Sequence, residues 1–559
     1  MKFLRRHPIG SVFCAAVVLR LLFMLFFISS PFRFFHTVPG LDMQTLLNFG
    51  EWGTPGNTFF LTLHRLQTFI FWKLNSGTHP VMWHVLFQAL LGAADAVMLS
   101  GIMLKLTGKK SLAAAAGILW ALNPIELMYE FTTLQDSLVN FGIILIFYSF
   151  LAARKYHFRP LYALGAGAVT GIFTTGRPVA VGLALVLCSW CVWYVFRRRL
   201  PLKRAACFCA GLLTLWMIFA CINLAVGKHF SCFFNPVSYA LSVNSSSHGE
   251  NTVSSAPIRT SVIKKLFHTS GKMFCRIPRL WDPVELPENL NIYYLRQKLP
   301  LLKLPFEFVM IFAAAGVIMM LAGGKWKKRE GLMLIPIISL AFFLCIREPI
   351  GRYRLMLLPW FIMLGVWLVQ YAVKSRKRSV VTVILLLAMM FPALSAPRPL
   401  RASDFAAWGW ALEGEAGRIT EDSIKHFISA WHCRPDTGSA VNVITRAIRT
   451  NNRQLAENIA AEWVKVSNSS SIACYYAAIA AMPVCKKMGM FLRSVRPEEL
   501  PPRLRVRYYI MQGDVFSSSG KNAEAVKNYT AAMNLPECPT AMKRYAERFI
   551  KTNINYQGK

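Results

Sequence analysis

Acidic residues are scarce in this sequence. Only 27 Asp and Glu stand against 63 Lys and Arg in 559 residues, and charged residues of both signs make up 16% of the chain while hydrophobic residues make up 55%. So small a charged fraction excludes a disordered, solvated chain and lies below the roughly 25% of an ordinary soluble domain. Zinc-type patterns are missing too. Outside the apolar runs there is no Cys-x-x-Cys and no Cys/His cluster, and Cys188 and Cys191, inside one such run, read as small core residues. The hydropathy pattern shows no matching halves, which weighs against a transporter. A formal charge of +36 would suggest nucleic acid in a soluble protein. Here the basic residues form short clusters between apolar runs, where membrane orientation explains them, so no nucleic-acid partner is expected.

The apolar residues that fill the remainder come in long runs. Crossing a hydrocarbon core takes roughly 20 helical residues. Runs of suitable character cover residues 9–28, 81–104, 112–129, 133–153, 161–175, 179–196, 205–226, 304–321, 332–346, 355–373 and 380–394. They predict an all-α polytopic membrane protein with about 11 transmembrane helices. The first run follows Lys2, Arg5 and Arg6, the pattern of a signal peptide. It is long for a signal core, and Phe32, Phe34 and Phe35 follow in place of a small-residue cleavage site, so an uncleaved helix is expected.

Basic clusters give the orientation. Lys105, Lys109 and Lys110 follow the second run, Arg154, Lys155 and Arg159 the fourth, and Arg197, Arg198, Arg199, Lys203 and Arg204 the sixth. Lys325, Lys327, Lys328 and Arg329 follow the eighth, and Lys374, Arg376, Lys377 and Arg378 the tenth. Each cluster falls on the side of the N-terminus. The positive-inside rule then predicts a multi-pass protein of the cell (inner or plasma) membrane with a cytoplasmic N-terminus. Three segments are left outside: loops at about 29–79 and 227–303, and everything after 394. The division expected is a membrane domain over residues 1–398 and an extracytoplasmic helical domain over 399–559.

The tail has no spanning run and reads as amphipathic helices broken by Pro, Gly and Ser. Between Tyr508 and Pro536, Gly513, Ala525, Tyr529 and Ala532 hold the small, aromatic and small positions of a tetratricopeptide (TPR-like) repeat, with Tyr509 and Phe516 also in register. Residues 441–449 and 455–466 are weaker partner helices, and a generic helical bundle is the alternative. Cys232, Cys275, Cys433, Cys474, Cys485 and Cys538 fall outside the membrane, where pairing is permitted and spacing does not give connectivity.

Chemistry-bearing residues recur in order along the first half. Pro39-Gly40-Leu41-Asp42 opens the first outer loop, followed by Glu51, Thr54-Pro55-Gly56-Asn57 and an amphipathic stretch over 59–74. The second run carries Phe87-Gln88-Ala89-Leu90-Leu91-Gly92-Ala93. Asn123-Pro124, Glu126, Glu130 and Gln135-Asp136-Ser137 link the third run to the fourth. Gly176-Arg177-Pro178 and Arg347-Glu348-Pro349-Ile350-Gly351-Arg352-Tyr353-Arg354 come later, the last ending at Pro359. This ordered set resembles the GT-C superfamily of membrane glycosyltransferases, of the protein O-mannosyltransferase and aminoarabinose transferase type, over about the first 370 residues and most closely up to Pro178. The resemblance implies transfer of a sugar from a polyprenyl-phosphate donor to a lipid, glycan or protein acceptor outside the cytoplasm. It departs from the mannosyltransferases at Met43, where they carry a second acidic residue. Acceptor class and the use of a divalent metal ion are therefore left open.

Elementary chemistry gives these residues roles. Glycosyl transfer through an oxocarbenium-like transition state needs a carboxylate to take the acceptor's proton, for which Asp42 is the candidate. Asp136 and Glu130 are either further carboxylates of the site or caps of the fourth helix. Arg177, Arg352 and Arg354, with Tyr353, are candidates to hold the donor phosphate, because guanidinium binds it bidentately. Snorkelling to the interface is the alternative for the arginines. An O-antigen ligase or polymerase shares the many helices and arginine-bearing outer loop, but gives no reason for Asp42 or the Arg-Tyr-Arg segment. A non-enzymatic transporter or assembly scaffold, its tail recruiting a protein partner, is the third reading.

Overall fold

The computed structural model describes residues 8–39, 41, 43, 67, 70–71, 74, 81–174, 178–227, 290–303, 307–346, 351–374, 376–395, 400–482 and 484–557. Among these residues every regular element is a helix, and contacts divide the chain into two units, Met1–Leu400 and Arg401–Lys559.

The first unit is built from α1 (Pro8–Ile28), α2 (Val81–Thr107), α3 (Lys110–Ala121), α4 (Pro124–Glu130), α5 (Asp136–Lys155), α6 (Pro160–Thr174), α7 (Pro178–Phe196) and α8 (Leu202–Gly227). It continues with α9 (Ile292–Lys298), α10 (Glu307–Ala322), α11 (Leu334–Ile346), the single turn α12 (Gly351–Arg354), α13 (Leu358–Val373) and α14 (Arg376–Ser395). Prolines open α1, α4, α6 and α7, at the position where the missing N–H costs no hydrogen bond. Among the described residues five helices are long and apolar enough to cross a membrane, namely α1, α2, α5, α8 and α13, the last counted from Leu355. A sixth is added if α3 and α4 count as one broken span; α6, α7 and α10 are apolar but shorter.

Their outward faces are apolar as well. Leu21 and Leu25 of α1 and Leu213 and Met217 of α8 are more than half exposed. Helices apolar on the exposed side as well as the buried one fit lipid rather than water as the surrounding medium. Inside, α2 packs on α1, α3 and α5, and α6 lies along α8. That last pair meets through small residues: a Cβ on Gly167 would strike the Phe208 carbonyl, and one on Gly211 the Leu164 carbonyl. Further along the chain, the Arg296 guanidinium donates to both oxygens of Glu307 at 2.7 and 3.2 Å and ties α9 to the start of α10.

One expected element is corrected. The run at 112–129 is not one straight helix but is bent by 53° between α3 and α4. The cause is Asn123-Pro124. Proline cannot donate within the helix, and the Asn123 side chain instead accepts from the Ile125 and Glu126 amides at 3.0 and 3.2 Å, starting a new helix.

The second unit contains α15 (Ala402–Ala416), α16 (Glu421–Cys433), α17 (Thr437–Arg449), α18 (Arg453–Val466), α19 (Ser471–Ala480), α20 (Cys485–Arg493), α21 (Pro502–Ser518), α22 (Asn522–Met533) and α23 (Thr540–Gln557). Thr420, Asp436, Asn452 and Ser470 cap helix starts with side-chain oxygens. Neighbours in sequence pack together: α15 with α16, α17 with α18, α19 with α20, α21 with α22. Phe427, Trp431, Val443, Ile459 and Trp463 form one of its cores, and Tyr475, Met488, Leu492 and Tyr508 belong to another. Between α21 and α22 the ring of fully buried Tyr529 rests on Gly513, where a Cβ would come within 2.6 Å of it.

Candidate functional site

The bend at Asn123-Pro124 is what assembles polar chemistry inside an otherwise apolar bundle. It turns α4 so that Glu126 and Glu130, both fully buried, face α1, α2 and α5. Glu130 forms an ion pair with Arg20 of α1, whose guanidinium also donates to the Ala16 carbonyl at 3.2 Å. The pair fits because α2 presents Gly92: a Cβ there would fall on the Glu130 carboxylate. Glu126 accepts from the Asn140 amide of α5 at 2.9 Å. Asp95, one turn beyond Gly92 on α2, is fully buried in the field of Glu126, Glu130 and Arg20, and Asp136 in turn acts on Glu126.

Beyond Glu130 the chain makes a tight turn over residues 131–135 before α5 begins. Phe131 is clamped by Phe23 and Phe27 of α1, at ring separations of 4.6 and 5.6 Å. The Thr132 hydroxyl donates to the Tyr129 carbonyl at 2.8 Å, and the Thr132 carbonyl accepts from Gln88 of α2 at 2.9 Å. The Thr133 hydroxyl donates to the Met43 carbonyl at 3.3 Å. Met43 is itself buried, so this residue of the segment between α1 and α2 is seated on the turn between Glu130 and Asp136.

Of the residues singled out from sequence, Glu130 and Asp136 are buried at the two ends of this turn. Glu130 does not cap α5, whose N-cap is Gln135; Asp136 is its first residue. Tyr353 and Arg354 are buried in α12, and the following turn, Leu355–Leu357, packs on α5. Phe147 of α5 meets Trp360 of α13 at 5.0 Å. Asp42, Arg177 and Arg347 lie outside the described residues, as does the side chain of Arg352. Most of the amphipathic stretch 59–74 is outside them too. From it, Gln67 is hydrogen-bonded to His84 of α2 at 3.0 Å.

Sequence reasoning passed over Arg20, Asp95 and Asn140 and gave Glu126 no role. A signal was present for the charged ones: Arg20 and Asp95 each interrupt an apolar run, where a charge is costly and usually functional. Among the described residues no group of three His, Cys, Asp or Glu side chains is arranged to hold a metal ion. No known protein family and no curated protein matches the chain. Its function is therefore read from its own residues.

Proposed function

We propose that this protein is a membrane glycosyltransferase of the GT-C type, moving a sugar from a polyprenyl-phosphate donor to an acceptor on the extracytoplasmic side. In this reading it crosses the cell membrane with about 11 helices and carries a TPR-like domain outside. Asp42 removes the proton from the acceptor hydroxyl. The acceptor oxygen bonds to the anomeric carbon while the bond from that carbon to the phosphate oxygen breaks, and the polyprenyl phosphate leaves. Arg177, Arg352 and Arg354, with Tyr353, hold the departing phosphate by charge-assisted hydrogen bonds. Glu130 and Asp136 flank the base.

The observation that most supports this reading is the bond from Thr133 to the Met43 carbonyl. It seats Met43, the residue after Asp42 in the sequence, on the turn bounded by Glu130 and Asp136, across a separation of 90 residues. The buried Arg354 on an element next to α5 adds a cation of the kind a phosphate requires.

The test is transfer from radiolabelled polyprenyl-phosphate sugars to envelope acceptors by the purified protein and by Asp42→Asn. The variant keeps the side chain's shape and loses its charge, so turnover should fall about 100-fold or more while donor binding survives. Glu51→Gln, further along the loop, is the control expected to matter less. Near-normal turnover of Asp42→Asn would favour the ligase and scaffold readings instead.

A further inference from the structure

The transfer reaction leaves one buried group without a task. Asp95 lies about 21 Å along α2 from Val81, near mid-helix, as Arg20 lies about 18 Å along α1 from Pro8. Asp95 is fully buried, and neither of its carboxylate oxygens has a hydrogen-bond partner among the described residues. On the helices that meet there the same want recurs: Gln88 Oε1, two turns before Asp95 on α2, and Glu126 Oε1, Glu130 Oε2 and Asn140 Oδ1 are buried acceptors with no donor among the described residues. Arg20, the one cation among the described residues that acts on Asp95, is already engaged by Glu130 and Ala16.

Two independent shortages therefore coincide. The cluster is short of donors, as Gln88 and Asn140 show without carrying any charge. It is also short of positive charge, since among the described residues Asp95, Glu126 and Glu130 stand against Arg20 alone. An uncompensated carboxylate in such surroundings costs many kcal/mol, more than packing can offset. A metal ion would answer both shortages, but the described residues offer no ligand set for one. A hydrogen ion answers both and needs no cavity.

We propose that Asp95 and Glu126 form a proton-binding site in the core of the bundle, with the Arg20–Glu130 ion pair left as its charged neighbour. This assignment does not depend on the sugar-transfer reading. Among the described residues the charged groups that bear on it come from three sides: Arg20 from α1, Glu126 and Glu130 from α4, and Asp136 from the start of α5. Of the other elements packed on α2, α13 has no charged residue, α3 only Lys110 at its far end, and Arg329 and Glu330 of the Arg329–Met333 turn do not act on Asp95.

The experiment is infrared spectroscopy of the purified full-length protein in lipid nanodiscs at neutral pH, in water and in heavy water. The wild type should show the C=O stretch of a protonated carboxylic acid, shifted by deuterium. Its intensity should fall in Asp95→Asn and in Glu126→Gln, both of which should fold with a melting temperature close to wild type because the amide replaces a neutral acid. An unchanged band in both variants overturns the proposal. So does failure of both to fold, because that would mean the bundle requires these groups as anions.

Discussion

At the scale of single residues, Arg177, Arg352 and Arg354, with Tyr353, carry the donor side of the proposed reaction. Arg354 is buried, and lysine in its place would keep the charge but lose the planar fork that grips two phosphate oxygens. Arg354→Lys should raise the donor KM about tenfold, the worth of one such hydrogen bond, with little change in kcat. A snorkelling side chain would tolerate lysine, and an unchanged KM would mark Arg354 as an anchor only. In the second unit, Tyr475 is fully buried with no partner for its hydroxyl among the described residues, and burial pushes its pKa from 10.0 up to about 12 against the pull of Arg507. The unfolded chain ionises first. The stability Tyr475 contributes is thus intact below pH 10 and is lost as the pH rises towards 12. Tyr475→Phe should melt at the same temperature or slightly higher at pH 7 and lose less between pH 10 and 12, by thermal denaturation followed by circular dichroism. A steeper alkaline loss in the Phe variant would contradict this. Residues of the candidate site were unevenly legible. Glu130 and Asp136 stood out because they lie between two apolar runs or at the start of one, whereas Arg20 and Asp95 lie well inside such runs, and for Arg20 only its pairing in space with Glu130 explains why a charge is tolerated there.

Among elements, a helix lies over every apolar run read from the sequence, because a run with no breaker has no better way to satisfy its backbone away from water. What the runs did not reveal was geometry. The Asn123-Pro124 break reads as a link between helices; that it turns α4 across the bundle depends on Phe131 docking between Phe23 and Phe27. Likewise α5 begins at Asp136 rather than at 133, because Thr132 and Thr133 spend their hydroxyls on the turn and on Met43. In the second unit the contact of α21 with α22 depends on Gly513. Gly513→Ala would press a methyl group into the Tyr529 ring and should cost about 1–3 kcal/mol, although alanine is the better helix former by about 1 kcal/mol. Residues 401–559 form a compact unit with cores of their own, whose melting is followed in the full-length protein. A fall of about 2–4 °C in Tm for each kcal/mol is expected. An unchanged or higher Tm would mean that α22 shifts without penalty and that the close approach is incidental.

For the molecule as a whole, orientation in the membrane follows from counting crossings and locating charge. The clusters at Lys105–Lys110, Arg154–Arg159, Arg197–Arg204, Lys325–Arg329 and Lys374–Arg378 follow α2, α5, α7, α10 and α13. If each of about 11 apolar runs crosses, every one of these clusters lies with the N-terminus, and the odd count puts the second unit on the opposite side. The parity is sensitive. Counting the five long helices alone also gives opposite sides, whereas adding the bent α3–α4 pair as a sixth crossing returns the C-terminus to the side of the N-terminus. A pair of fusions separates these cases: a reporter active only in the cytoplasm, inserted at Gly108 between α2 and α3 or joined after Lys559. It should be active at Gly108 and silent after Lys559, because moving a basic cluster outward is opposed by the charge asymmetry that sets topology. Activity at both positions would indicate an even number of crossings. The second unit would then face the cytoplasm, out of reach of an extracytoplasmic acceptor, and the proposed role of the outer loop bearing Asp42 would have to be argued without it.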